Sequence, residues 1–427
     1  MWKAAYIETY GCWLSKGEGE IIKKTLESRG YKIVQKPEQS SLIIIHTCAV
    51  RGDTERKMLK IISSMHEKAL NTGADLVVSG CLVNVRPKSI LHVAPRAILV
   101  EPDALEKIDE AIESGMSVIR KYPTGMRKTL PPIKRAHTYI LPIETGCMGN
   151  CYFCVGKLAR IKLFSYPRRE ILEKIREAVE KGVKQIFLVG QDVAAYGRDR
   201  GTNLVELLDD ILSSVEGNYR IRLGMMEPTL IYEMLDGLIK AMKDERIYNY
   251  LHLPAQSFDD KVLKLMNRQY TVNQYLEIVE EFRRKIPHLN VATDIIVGYP
   301  GEDEKSFEKT LSYIKSLKFD KVHVARYTQR PFTKAYILNG QVPEPEKKRR
   351  SKILSEAAAK AAHKRNMLYL GKIFNALIEK ASDREANARL LQNYKPVVIK
   401  EEKLKAGQIV KVKIERAEPY YLIGRLF

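Results

Sequence analysis

The chain has 427 residues, 45 % of them hydrophobic and 29 % charged, which excludes wholesale disorder and at roughly 150 residues per domain suggests about three domains. No apolar stretch approaches the roughly 18 residues of a membrane span and the N-terminus lacks a signal-peptide core, so a cytoplasmic protein with no membrane partner is expected. Its 72 Lys and Arg against 52 Asp and Glu leave a net charge of +20, which favours a polyanionic partner.

In chain order, residues 3–9 predict a strand, 17–29 an amphipathic helix, 42–47 a strand, 54–71 a helix, and 75–79 and 96–100 two further strands. That βαβ alternation predicts a parallel-sheet α/β domain over residues 1–116. Residues 117–137, with Pro123, Gly125 and the Pro131-Pro132 pair, read as a basic linker. It lies within an acid-free stretch, 114–142, that carries Arg120, Lys121, Arg127, Lys128, Lys134 and Arg135.

A second alternation follows. Strands are predicted at 139–142, 185–189, 221–225, 250–253, 291–297 and 322–326, with helices at 169–181, 204–215, 260–267 and 273–285. Six βα units predict a partial (β/α)6 barrel over 138–370, ending in an Ala-, Lys- and Arg-rich helix at 344–370. Short strands at 373–378, 396–399, 408–414 and 421–425 predict a small OB-like β-barrel over 371–427. Residues 343–427 hold half of the net charge on a fifth of the length, which places nucleic acid ahead of a membrane surface.

The six cysteines all precede position 155. Cys12, Cys48 and Cys81 each follow a predicted strand, and in a parallel sheet those ends share one edge, where ligand sites form. Free Cys is also a good buried residue, but three at the same place in successive βα units favour a metal or cluster site. Cys147, Cys151 and Cys154 form C-x3-C-x2-C after the first strand of the second domain. A zinc site would want a fourth local ligand, and His137 lies ten residues away. Thiolates also hold Fe–S clusters, which usually take four cysteines; three leave one iron open to a reactant.

The segment Gly146-Cys147-Met148-Gly149-Asn150-Cys151-Tyr152-Phe153-Cys154 resembles the cluster loop of radical S-adenosylmethionine enzymes. Tyr10-Gly11-Cys12, Thr47-Cys48 and Ser79-Gly80-Cys81 resemble the accompanying methylthiotransferase domain. Gly190-Gln191-Asp192, Leu253-Pro254-Ala255-Gln256-Ser257, Met266-Asn267-Arg268, the run from Thr293 to Glu302, and Arg330-Pro331 with Thr333 are similar to further family words. The terminal barrel resembles the TRAM RNA-binding module. The resemblance implies two [4Fe-4S] clusters, one on each cysteine trio, and S-adenosyl-L-methionine. It also implies a radical that removes hydrogen from an unactivated carbon, which then receives a methylthio group. Cofactors carry such chemistry.

Within the family, the archaeal/eukaryotic branch is the nearest. It implies methylthiolation of carbon 2 of N6-threonylcarbamoyladenosine at tRNA position 37, with the anticodon stem-loop as partner, an external electron donor and an unidentified sulfur donor. The competing readings are N6-isopentenyladenosine at position 37, an aspartate of ribosomal protein S12, and a non-catalytic Fe–S RNA-binding protein. Gln191, Asp192, Asp294 and Gly298 are expected to line the S-adenosylmethionine pocket, with Gln256 also near a strand end. The basic run 347–350 is either a solvated helix face or an RNA contact. This chain departs from the family at Ser15, Glu18, His46 and Arg160-Ile161, and has Phe258 and Phe332 where glycine is usual. If both Phe rings lined the cavity, substrate fit would change.

Overall fold

The computed structural model describes residues 3–49, 52–119, 129–134, 136–401 and 403–427. The first sheet holds β1 (Ala4–Thr9), β2 (Lys32–Val34), β3 (Leu42–Thr47), β4 (Asp75–Gly80) and β5 (Ile98–Val100). Its order is β2-β1-β3-β4-β5, parallel throughout. The Leu-Ile-Ile-Ile run of β3 is buried along its whole length, as a central parallel strand covered on both faces requires. Between β1 and β3 the chain changes direction across the sheet, which opens a crevice at the carboxyl edge.

The second unit opens with β6 (Thr138–Pro142) and a short antiparallel ladder of β7 (Glu144–Thr145) and β8 (Phe164–Ser165). Then come β9 (Gln185–Val189), β10 (Arg220–Leu223), β11 (Tyr250–His252), β12 (Asn290–Val297) and β13 (Lys321–Arg326). They form two parallel sheets, β10-β9-β6 and β11-β12-β13. Parallel bridges from Ile221 to Ile247 and from Met225 to His252 join them. The result is the expected six-stranded partial barrel. The helix Trp13–Ser28 of the first unit packs against it: the Trp13 ring stands 4.8 Å from Phe187, and a Cβ on Gly17 would lie 3.2 Å from Pro142.

The last unit is a closed barrel of β14 (Ile373–Ala381), β15 (Ala386–Leu390), β16 (Pro396–Ile399), β17 (Ile409–Ala417) and β18 (Leu422–Leu426). The strand β15 is absent from the sequence reading because Ala-Asn-Ala-Arg-Leu has no β-branched residue. This barrel docks on the amino ends of the central strands. The Asn249 amide donates to the Gln392 carbonyl at 2.8 Å, the Asn290 side chain to the Asn393 carbonyl at 2.9 Å, and buried Lys395 meets Asp320 at 2.6 Å. Tyr394 enters the lumen floor, with ring centroids 5.2–5.7 Å from Tyr248, Phe187 and Tyr250.

Two expectations change. The run 347–350, on the helix Glu344–Asn366, is only half a solvated face, with Lys348 and Arg349 exposed. Lys347 and Arg350 are buried, Arg349 pairs with Glu304 and Glu346, and Arg350 holds Glu302 at 2.7 Å. The described parts of the 117–137 segment are packed: Val118 bridges to Val100 and Leu130 joins the barrel core. Arg120, Lys121, Arg127, Lys128 and Arg135 lie outside the described residues. Among the described residues, no helix is long and apolar enough to cross a membrane.

Candidate active site

The loop carrying Cys147, Cys151 and Cys154 runs from β7 to the short helix Gly156–Ala159. Gly146 enters it at φ +86, and a Cβ there would lie 1.9 Å from the Lys162 carbonyl, so only glycine fits. Gln191 spans the loop. Its Oε1 accepts from the Gly146 amide at 2.6 Å and its Nε2 donates to the Gly156 carbonyl at 3.3 Å. The Asn267 side chain donates to the Asn150 carbonyl at 2.8 Å, and the Tyr152 amide donates to the Met266 carbonyl. A Cβ on Gly149 would sit 3.3 Å from the Cys147 sulfur and 3.8 Å from that of Cys151. Its absence leaves a cradle between two thiols. Arg268 donates to Cys151 Sγ at 3.1 Å and pairs with Glu227 at 3.0 Å. Burial pushes the Cys147 and Cys154 thiols upward, which bound metal would reverse.

The second trio sits on the crevice of the first sheet. Cys12 precedes the helix Trp13–Ser28, Cys48 follows β3, and Cys81 opens the helix Cys81–Val85; β1, β3 and β4 are neighbours. Gly80 has φ +94, and a Cβ would meet the Thr47 carbonyl at 2.4 Å. Burial pushes the Cys81 thiol up to about 12, opposed by the charge of nearby Arg160. Arg160 is fully buried, 2.6 Å from Glu18 and 3.6 Å from Asp103, and donates to Thr145 at 2.9 Å. Glu18 also meets His46 at 3.0 Å, whose other ring nitrogen lies 2.7 Å from Ser79. The departures at Glu18 and His46 thus join Arg160 in one buried network beside the cysteines, whereas Ile161, which stands where glycine is usual, is exposed.

All six cysteines are free of disulfides. Each trio offers three thiols around a common space with an arginine to balance thiolate charge, and this donor set fits a cluster with one iron left open.

The segment after β13 ties the two trios together. Arg330 pairs with buried Glu55 in the first unit and lies near Cys48, while the Ala335 amide donates to the Tyr152 carbonyl in the second loop. Phe332 is 77 % exposed with φ +70, a conformation costing about 1–2 kcal/mol for a non-glycine residue. Phe258 does not line a cavity. It is buried in the barrel core against Tyr275, Tyr313 and Phe319.

The other expected pocket residues separate. Asp192 is buried beside the cluster loop, accepting from the Glu227 amide at 2.9 Å, and burial raises its carboxyl to about 7. Asp294 faces the lumen, 3.0 Å from His252. Gly298 lies beneath Lys347, where a Cβ would be 2.3 Å from that side chain, and its amide donates to Glu302. Gln256 takes φ +62 and its amide donates to the Asp294 carbonyl. Sequence reasoning gave no role to Arg268, His252, His323 or Arg222; the Met266-Asn267-Arg268 word was the available signal for the first.

Residues 141–314 match the Radical SAM superfamily, residues 4–101 the Uncharacterized protein family UPF0004, and residues 368–427 the TRAM domain. The chain is 38 % identical over 424 residues to the probable threonylcarbamoyladenosine tRNA methylthiotransferase of Methanocaldococcus jannaschii, covering 99 % of this chain and 96 % of that one. The chain belongs to the threonylcarbamoyladenosine tRNA methylthiotransferase family. The member from Pyrococcus horikoshii is 37 % identical with 99 % of both chains covered. A human member is 29 % identical across 98 % of this chain and 73 % of its own. Among solved structures, the radical S-adenosylmethionine methyltransferase TsrM from Kitasatospora setae superposes with a TM-score of 0.58 over 79 % of this chain and 77 % of its own. At 12 % identity that likeness shows the fold alone. The family makes this chain a radical SAM methylthiotransferase, and its radical SAM domain implies a [4Fe-4S] cluster and S-adenosylmethionine.

Proposed function

We propose that this enzyme methylthiolates carbon 2 of N6-threonylcarbamoyladenosine at position 37 of tRNA. The observation that carries the reading is the pair of three-cysteine sites, tied together by the buried Arg160–Glu18 pair. Cys147, Cys151 and Cys154 would hold the radical-generating cluster, and Cys12, Cys48 and Cys81 the second. When bound, the clusters and S-adenosylmethionine supply a hydrogen-abstracting radical and the methylthio group. Gln191 fixes the first loop, and Arg268 offsets thiolate charge. Trp13 packs on Phe187 and closes the barrel side there. Gln191, Asp192 and Gly298 are assigned to the S-adenosylmethionine side of the pocket, and Asp294, beside His252 in the lumen, to its substrate side.

The division into residues 1–116, 117–137, 138–370 and 371–427 belongs to the same proposal. Exposed Lys380, Lys400 and Lys411 on the terminal barrel support an anticodon stem-loop partner, since single-stranded loops offer a base that can be splayed into a pocket. Electrons come from an external donor, and the location is the cytoplasm. The test is nucleoside mass spectrometry of host tRNA with and without the gene. Loss of the methylthio derivative of threonylcarbamoyladenosine is expected. Loss of methylthio-isopentenyladenosine, or of a modified S12 aspartate with tRNA unchanged, would contradict the reading.

A further inference from the structure

A polar layer of two histidines and an aspartate crosses the lumen. His252 ends β11, Asp294 lies in the middle of β12, and His323 is its register partner on β13. His252 Nε2 is 3.0 Å from Asp294, the two imidazole centroids are 5.7 Å apart, and one polar atom of each of the three lies within 4.8 Å of the others. All three side chains keep some exposure. Asp294 stands about three residues, roughly 10 Å, below the carboxyl end of its strand. A substituent projecting from a base bound at the strand ends spans that depth.

The floor beneath is aromatic and positively charged. Phe187, Tyr250 and Tyr394 surround Arg222, whose guanidinium lies 4.5 Å from the Tyr250 centroid, 5.0 Å from Tyr394 and 5.4 Å from Phe187. Arg222 is only 7 % exposed, and among the described residues neither a carboxylate nor a hydrogen-bond acceptor reaches it. Glu379, which touches Tyr394, is taken by Arg389 at 2.8 Å. A divalent cation at the His–Asp–His layer would face Arg222 from below. The same field attracts an anion.

We propose that this layer reads the N6 substituent of the substrate adenine, with His323 selecting a polar, carboxylate-ended group over an apolar one. The inference rests on the function proposed above. A threonylcarbamoyl group presents an N–H, a hydroxyl and a carboxylate. Asp294 accepts from the first two, the histidines donate to the third, and Arg222 supplies a buried positive charge that has no counter-ion of its own. A prenyl group sets apolar surface against this polar layer and leaves buried Arg222 without a counter-charge, and that loss is how sites built for polar groups reject apolar analogues.

The test uses cluster-loaded protein without S-adenosylmethionine and measures, by fluorescence anisotropy, binding of anticodon stem-loops that differ only at position 37. They carry adenosine, threonylcarbamoyladenosine or isopentenyladenosine. Wild-type protein is expected to prefer the threonylcarbamoyl loop to the prenylated one by roughly tenfold or more. His323→Phe, with wild-type iron content as its folding control, abolishes or inverts that preference, and His323→Gln keeps most of it. The ratio of kcat/KM values for the two substrates follows the same order. An unchanged preference in His323→Phe overturns the inference and leaves the function standing. Wild-type turnover of prenylated tRNA alone overturns the function, and the inference with it.

Discussion

Arg160, six residues beyond Cys154, places its guanidinium 2.6 Å from the carboxylate of Glu18, six residues beyond Cys12. Both side chains are buried, and Asp103 adds a second acid at 3.6 Å. The pair locks the chain leaving one cysteine loop onto the helix leaving the other. It fixes the spacing of the two cysteine loops.

Removing one partner of such a pair strands the other in a low-dielectric interior, at a cost of about 3–5 kcal/mol. Arg160→Met should therefore lower the unfolding free energy by about that amount and lose iron from the Cys12 trio before the Cys147 trio. Arg160→Lys should restore only part, because lysine lacks the fork that meets Glu18 and Thr145 together. Denaturant titration and iron content check both.

The two metal sites should be separable. Reconstituted protein is expected to hold about eight irons, as two four-iron clusters. Replacing Cys147, Cys151 and Cys154 by Ala leaves about half, and so does replacing Cys12, Cys48 and Cys81. With a strong reductant, the second variant still cleaves S-adenosylmethionine but transfers no sulfur, whereas the first does neither. Metal analysis and product chromatography read each outcome.

The terminal barrel is built into the catalytic unit, so its deletion is not a clean test of RNA binding. Losing residues 371–427 would also strip Tyr394 from the lumen floor and Lys395 from buried Asp320. Charge reversal at exposed Lys380, Lys400 and Lys411 is the better probe. It should weaken tRNA binding and reduce the slope of log affinity against log salt by about three. Filter binding across a salt series measures this.

Arg350 should behave as a latch for the helix Glu344–Asn366. Its guanidinium holds Glu302, which also accepts from the Gly298 amide. Arg350→Met should cost about 3 kcal/mol or more, whereas exposed Lys348→Ala should stay within about 0.5 kcal/mol. Thermal unfolding of the two variants separates them.

Much of this architecture is legible because it rests on local patterns. The apolar run of β3 and the cysteine after each of three strands fix the first sheet and its edge, since parallel βα units leave little topological choice. What is not legible depends on distant partners. Nothing local marks Arg160 as the partner of Glu18, 142 residues away, or joins His252 to His323 across a lumen. Phe258 and Phe332 look alike as Gly-to-Phe changes. One ring fills a core and the other is displayed on a left-handed turn, because only the tertiary environment decides whether the added volume has a cavity to enter. The run 347–350 is half surface for the same reason: Lys348 and Arg349 are exposed, whereas Lys347 packs over Gly298 and the Tyr327 ring and Arg350 is buried against Glu302.

The central claim is the substrate, and direct turnover tests it. Anaerobic protein with both clusters, S-adenosylmethionine and a reductant would be given three substrates in parallel. They are tRNA carrying threonylcarbamoyladenosine at position 37, tRNA carrying isopentenyladenosine there, and ribosomal protein S12. Mass spectrometry of the digested products should find a methylthio group on the first alone. Product on isopentenyladenosine or on S12, with the threonylcarbamoyl tRNA unchanged, would contradict the assignment.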